Sequence, residues 1–162
     1  SLQCLITNRQ TLACDFTGTG PLTKWGAGIS VAAGTSDLSG EMRIYEGAWF
    51  ADGQHTTAGA YMVSNNAVLG GSGQIAPAAG NSVSVDGQLA PGAADGACGT
   101  LTLGSAEQAT SLALNGTLAA EIGEDNQLVS TLADGSPDLM SAILAQFPGA
   151  EFADGVLTQT MP

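Results

Sequence analysis

Few side chains in this chain could carry acid–base or nucleophilic chemistry. His55 is the sole histidine, and an imidazole titrates nearest neutrality. A hydrolase built on it needs a nucleophile or a carboxylate alongside. The expected pairing around Asp52-Gly53 puts Phe50 there instead, so His55 reads as a cap on an aromatic cluster. Glu41, Glu46 and Asp52 would make a glycosidase pair only at a defined separation in a cleft, and nothing in the sequence sets that separation. Glu46 falls on an otherwise apolar face; if buried, it needs Arg43, Lys24 or a backbone donor. The run Leu69-Gly70-Gly71-Ser72-Gly73 lacks the Gly-Lys-Ser/Thr ending of a phosphate loop. Gln74 stands where a nucleophile elbow needs glycine, so the run reads as a connection.

Metal chemistry has equally little to build on. Glu121, Glu124 and Asp125 are weak calcium candidates, because their spacing departs from the twelve-residue loop and Gly-Glu-Asp-Asn is good turn chemistry by itself. No other metal and no cofactor is expected. Cys4 and Cys14 flank LITNRQTLA, which reads as strand, turn at Asn8-Arg9-Gln10, and strand. That register sets the two cysteines opposite each other, as a disulfide requires. The bond would indicate an oxidising compartment; the alternative is buried thiols in a reducing one. Cys98 is left over. The sequon Asn115-Gly116-Thr117 sits at a tight tip, where turn chemistry explains it.

The strongest remaining signal is aromatic. Trp25, Tyr45, Trp49 and Tyr61, with Arg43 among them, are the binding or interface candidates, since aromatics with few charges nearby serve sugar platforms and protein interfaces. They serve any β core equally well.

These residues need elements to position them, and the organising stretch runs from Glu41 to Val63. It holds Tyr45, Trp49, Phe50 and Tyr61, half the aromatics of a chain with Trp 2, Tyr 2 and Phe 4. Asp52-Gly53 signals a two-residue type I′ turn, with both central residues at φ > 0. Phe50 then faces His55, Ile44 faces Tyr61 and Met42 faces Val63. Both faces of that hairpin are mostly apolar, which implies covering on each side. Further hairpins are expected at Asp86-Gly87 and Asn115-Gly116, and two edge strands around Asp154-Gly155. Ser136 as N-cap, Pro137 at the first helical position and the stripe Leu139, Met140, Ile143, Leu144, Phe147 predict one C-terminal helix over about Pro137–Phe147. Ala-Asp-Gly recurs at Ala51, Ala94, Ala133 and Ala153, but its irregular spacing reads as turn chemistry and not as a solenoid repeat. The expected fold is mainly β: an antiparallel β-sandwich or barrel built from hairpins, with that one helix. Residues 1–162 are expected to form a single domain, with a soft subdivision near 80–91 between an aromatic-rich part (1–80) and a part of hairpins plus helix (91–162).

Composition limits the partners. Lys+Arg 3 against Asp+Glu 15 gives a net charge of −12. Arg9, Lys24 and Arg43 cannot neutralise a run of phosphates, which argues against nucleic acid and anionic membrane surfaces. No run approaches the length of a membrane helix, and SLQCLIT has neither a basic region nor a long apolar stretch of a signal peptide. Charged residues are 11% of the chain against about 25% in typical domains, so small and hydroxylated side chains make up most of the surface. The expected function is a non-enzymatic structural or binding protein in a larger assembly, such as a decoration or accessory subunit of a virion or cell-surface structure. It is placed outside the cytoplasm or in a virion, with self-association or a protein partner. The alternative is a small secreted or periplasmic binding protein, for instance for carbohydrate, held by Cys4–Cys14. A hydrolase using His55 comes third.

Overall fold

The computed structural model describes residues 1–106, 110–119, 150–153 and 156–159. The chain winds through short strands that come in threes: β1 (Leu2–Leu5), β2 (Gln10–Leu12), β3 (Phe16–Gly18); then β4 (Leu22–Trp25), β5 (Ile29–Ala32), β6 (Ser36–Leu38); then β7 (Met42–Ile44), β8 (Gly47–Ala51), β9 (Gln54–Thr57). The pattern continues with β10 (Tyr61–Val63), β11 (Ala67–Gly71), β12 (Gln74–Pro77), β13 (Ser82–Val85), β14 (Gln88–Pro91), β15 (Thr102–Leu103), β16 (Ser111–Leu114) and β17 (Thr117–Leu118). Every third strand joins the same sheet, in the orders β1-β4-β7-β10-β13-β16, β2-β5-β8-β11-β14-β17 and β3-β6-β9-β12-β15. All pairings within these three sheets are parallel. The molecule is a three-sided β-solenoid. A separate antiparallel pair, β18 (Ala150–Ala153) with β19 (Val156–Gln159), stands at the Asp154-Gly155 position.

This architecture corrects the expected antiparallel sandwich or barrel. A parallel strand cannot be reached by a two-residue turn; the chain must travel a dozen residues or more before returning. Here the other two strands of each turn make that journey. Leu2, Leu22, Met42, Tyr61, Val83 and Leu112 occupy successive positions in one ladder, at intervals of 20, 20, 19, 22 and 29 residues. Phe50 pairs with Val31 and Gly70, and His55 with Ser36 and Ile75, so the predicted Phe50–His55 apposition does not exist. Tyr61 lies beside Met42 and Val63 beside Ile44, in parallel register. No helix occurs among the described residues, and the segment Pro137–Phe147 lies outside them.

Alternation along each strand sends every second side chain inward. The core is Leu22, Met42, Tyr61, Val83 and Ile44, Val63, Val85 from the first sheet; Trp49, Leu69, Leu89 with Ala32 and Ala51 from the second; and Leu38 and Ile75 from the third. Ile44, Leu69 and Ile75 are fully buried, each stabilising the fold by about 1.5–3 kcal/mol relative to exposure. Outward positions of the second sheet carry Ile29, Val31, Ala48, Phe50 and Val68, so β8 has apolar side chains on both faces.

Asp52-Gly53 and Asp86-Gly87 sit at corners of the solenoid. Gly53 does not adopt a left-handed φ, so it is not there to make a type I′ turn. Its role is close approach: a Cβ at Gly53 would lie 2.0 Å from the Gly34 carbonyl oxygen of the corner beneath. Gly80 has φ of +86° with nothing within 4 Å of the Cβ position. A hairpin tip would accept Asn at position 53. In the solenoid, Gly53→Asn and Gly53→Ala are expected to cost about 2 kcal/mol or more through backbone displacement. Gly80→Asn should cost less than about 1 kcal/mol, because Asn tolerates the left-handed region. Urea unfolding of the three variants measures this, and a tolerated Gly53→Asn would contradict the stacked corner.

Candidate functional site

The first sheet collects three of the five aromatic and basic candidates on its outer surface. Trp25 ends β4 and Tyr45 follows β7, which brings their rings together at one corner. The centroids are 4.2 Å apart and the planes 13° from parallel. Leu5 pairs with Trp25 on the other side, and Ser64 follows Val63, the partner of Ile44. The outward ladder therefore reads Leu5, Trp25, Tyr45, Ser64 across successive strands. Leu5 is 74% and Trp25 39% exposed, so this is a surface column.

Where the ladder drops from Tyr45 to Ser64, it leaves a groove of about 170 Å³ lined by Arg43, Tyr45, Met62, Ser64, Ser84 and Asp86. Trp25 covers one face of the Tyr45 ring, and the other face forms a wall of the groove. Arg43 is held by Glu41: its Nε donates to Glu41 Oε2 at 2.8 Å, and its second guanidinium nitrogen donates to the same oxygen. That carboxylate raises the guanidinium pKa. Asp86 accepts a hydrogen bond from Asn115 Nδ2 at 2.9 Å.

Trp49 and Tyr61 belong elsewhere. They are 2% and 1% exposed, inside the solenoid, and desolvation pushes the Tyr61 hydroxyl pKa upward. Met62, Ser64, Ser84 and Asp86 were not singled out from the sequence. They join Tyr45 only through the parallel register, and the roughly twenty-residue return of Leu22, Met42 and Tyr61 is the signal that would have grouped them.

His55 lies in the core at 1% exposure. Its Nδ1 is 2.8 Å from Ser36 Oγ and its Nε2 is 3.1 Å from the Ala32 carbonyl. Since that carbonyl can only accept, Nε2 carries the proton and Nδ1 accepts from the Ser36 hydroxyl. The Trp49 and His55 rings meet in a T-shaped arrangement, 6.3 Å between centroids. Both nitrogens are engaged inside the wall, and burial lowers the imidazole pKa. Lys24 is also enclosed, at 0% exposure. Its Nζ donates to the carbonyls of Gly26 at 2.8 Å and Glu46 at 2.7 Å, fastening two stacked corners. Desolvation lowers its pKa. Burying an amine without such partners would be strongly unfavourable.

The remaining candidates disperse. Asp52 Oδ1 accepts from the Ser72 amide at 3.1 Å, Glu46 is exposed, and Glu41 is tied to Arg43. All three cysteines are free, which corrects the expected Cys4–Cys14 bond. Cys4 is in β1 and pairs with Lys24, while Cys14 sits at the corner after β2, on a different side of the solenoid. Burial raises the Cys4 thiol pKa, opposed by the nearby Lys24. Glu121, Glu124 and Asp125 lie outside the described residues. Among the described residues, no three of His, Cys, Asp and Glu converge as metal ligands, and no helix is long and apolar enough to cross a membrane.

The enclosed imidazole makes stability depend on pH. Its folded pKa is lowered below the ordinary value of about 6.5, so the unfolded chain binds the extra proton first as pH falls. The stabilisation is fully present above about pH 6.5 and declines below it, by at most about 1.4 kcal/mol per pH unit. Between pH 8 and pH 5, wild type should lose more unfolding free energy than His55→Gln, read by urea titration at each pH. Equal losses would contradict the enclosed neutral imidazole. Comparison of the chain with protein-family models, with curated proteins and with solved structures finds no match.

Proposed function

We propose that this is a non-enzymatic structural protein that extends end to end with further copies of itself in a larger assembly, such as the surface of a virion or cell. The observation that carries the reading is the pair of outermost strand edges, each without a partner among the described residues. Among the described residues, strands β1, β2 and β3 each pair on one side only, as do β15, β16 and β17. Positions that are core in the middle turns are exposed there: Leu2 is 52%, Leu112 41%, Leu114 36% and Leu118 36% exposed.

A free strand edge is a template for another strand, and proteins that avoid such pairing place Lys, Pro or bulges on it. LQCL, QTL and FTG at one end, and SLAL and TL at the other, contain no charged residue and no proline. A copy set with its β1 beside β16 of the first would continue the ladder, placing Leu2 beside Leu112 and Cys4 beside Leu114. Such a contact joins two different surfaces, which gives open chains when the rotation does not close. The lightly charged sides, including the half-buried Ile29, Phe50 and Val68 on the second sheet, suit a subunit covered by neighbours. A hydrolytic reading through His55 has no support in this geometry, since the ring is enclosed and both nitrogens are engaged.

Size-exclusion chromatography with light scattering should show mass rising with concentration, and electron microscopy should show unbranched chains. Leu112→Lys with Leu114→Lys is expected to shift the distribution to single copies while the far-ultraviolet dichroism stays that of the parent. A wild-type protein that remains a single copy up to its solubility limit would overturn the proposal.

A further inference from the structure

We infer that the groove beside Tyr45 is a binding subsite for one neutral sugar ring. The inference goes beyond assembly and does not rest on it, because the groove belongs to the side of a single copy.

Four features select the ligand. The Tyr45 ring has one face stacked on Trp25 at 4.2 Å, which holds it rigidly, and its other face toward the groove. A rigid aromatic face with a polar edge is a platform for the C–H face of a pyranose. The volume of about 170 Å³ is below the roughly 300 Å³ at which pockets for drug-sized ligands begin, and so admits a single ring. The rim is hydroxylic and charged: Ser64, Ser84, Asp86 and Arg43 offer both donors and acceptors, as a ring carrying several hydroxyls requires. Asp86 receives one hydrogen bond, from Asn115, on Oδ1, which leaves Oδ2 to accept from a sugar hydroxyl.

The same features exclude other small ligands. Arg43 is neutralised by Glu41, Asp86 is anionic, and the chain carries −12 overall, so phosphates and uronates are repelled. A purely apolar ring would desolvate Asp86 and the two serines without replacing their hydrogen bonds. If copies also join end to end, identical subsites recur along the chain, and a weak site for one ring becomes strong for a glycan that spans several.

The test is titration of the protein with methyl glycosides of glucose, galactose, mannose and N-acetylglucosamine, following amide resonances of Ser64, Ser84 and Asp86 by nuclear magnetic resonance. At least one glycoside should give saturable shifts at these amides, with a dissociation constant on the order of 1–10 mM, as expected for one ring. Tyr45→Phe keeps the stacking face and should bind within about threefold of wild type; Tyr45→Ala should bind at least about tenfold more weakly. Ser64→Phe extends the aromatic ladder into the groove and should abolish the shifts, with the remaining spectrum unchanged. Gln54→Ala, on another side, should bind as wild type. The inference is overturned if no glycoside saturates these amides, if Tyr45→Ala binds as well as wild type, or if indole saturates them and the sugars do not.

Discussion

Everything in this molecule depends on the parallel ladder that joins each strand to the one a full turn later. It satisfies the backbone donors and acceptors of all three sides at once and fixes the vertical alignment of side chains. A residue therefore has its main neighbours about twenty positions away, as Leu22 has Met42 and Ser36 has His55. Inward columns become the core, and the two ionisable side chains Lys24 and His55 caught in them find partners within the wall. Lys24 does so with two corner carbonyls and His55 with Ser36 and Ala32. Both side chains fasten neighbouring turns, and enclosure lowers the pKa of each.

The same alignment shapes the outside. An outward column of Leu5, Trp25 and Tyr45 gives way to Ser64, and this single change of side-chain size opens the groove. Among the described residues, the outermost strands of the ladder pair on one side only, and Leu2, Leu112, Leu114 and Leu118 there are partly exposed. The side groove and the outermost strand edges are thus two consequences of one arrangement, one lying across the solenoid axis and the other along it.

Much of the local structure was legible in the sequence. Strands at Ile29 and Val31, Ala67 to Leu69, Val83 to Leu89 and Leu112 to Leu118 fall where apolar alternation and turn residues place them, and a pair flanks Asp154-Gly155. The direction of pairing was not legible. Asp52-Gly53 and Asn115-Gly116 carry the residues of a type I′ turn, yet the glycines are required because stacked corners touch. A Cβ at Gly116 would lie 1.7 Å from the Gly87 carbonyl oxygen. Chemistry that permits a positive φ also permits close approach, and the dipeptide alone does not separate them. The return period was hidden because insertions lengthen the later turns and Lys24, Ser30, Ser36 and His55 interrupt the inward columns. Once hairpins were assumed, Cys4 fell opposite Cys14 and Phe50 opposite His55. The Trp25–Tyr45 surface was half visible, as aromatic types without their neighbours, because Ser64, Ser84 and Asp86 enter only through the twenty-residue register.

The claim that the ladder continues from copy to copy is tested most directly by cross-linking across the joint. Gln3 and Ala113 occupy the same outward column at opposite ends of the first sheet. In a background with Cys4, Cys14 and Cys98 replaced by alanine, Gln3→Cys protein is mixed with Ala113→Cys protein under mild oxidation. Adjacent parallel strands hold such positions about 5 Å apart, within disulfide range. A disulfide-linked heterodimer should form only in the mixture and at a rate exceeding that of either homodimer. Homodimers alone, or no cross-link at concentrations where light scattering detects association, would contradict the claim.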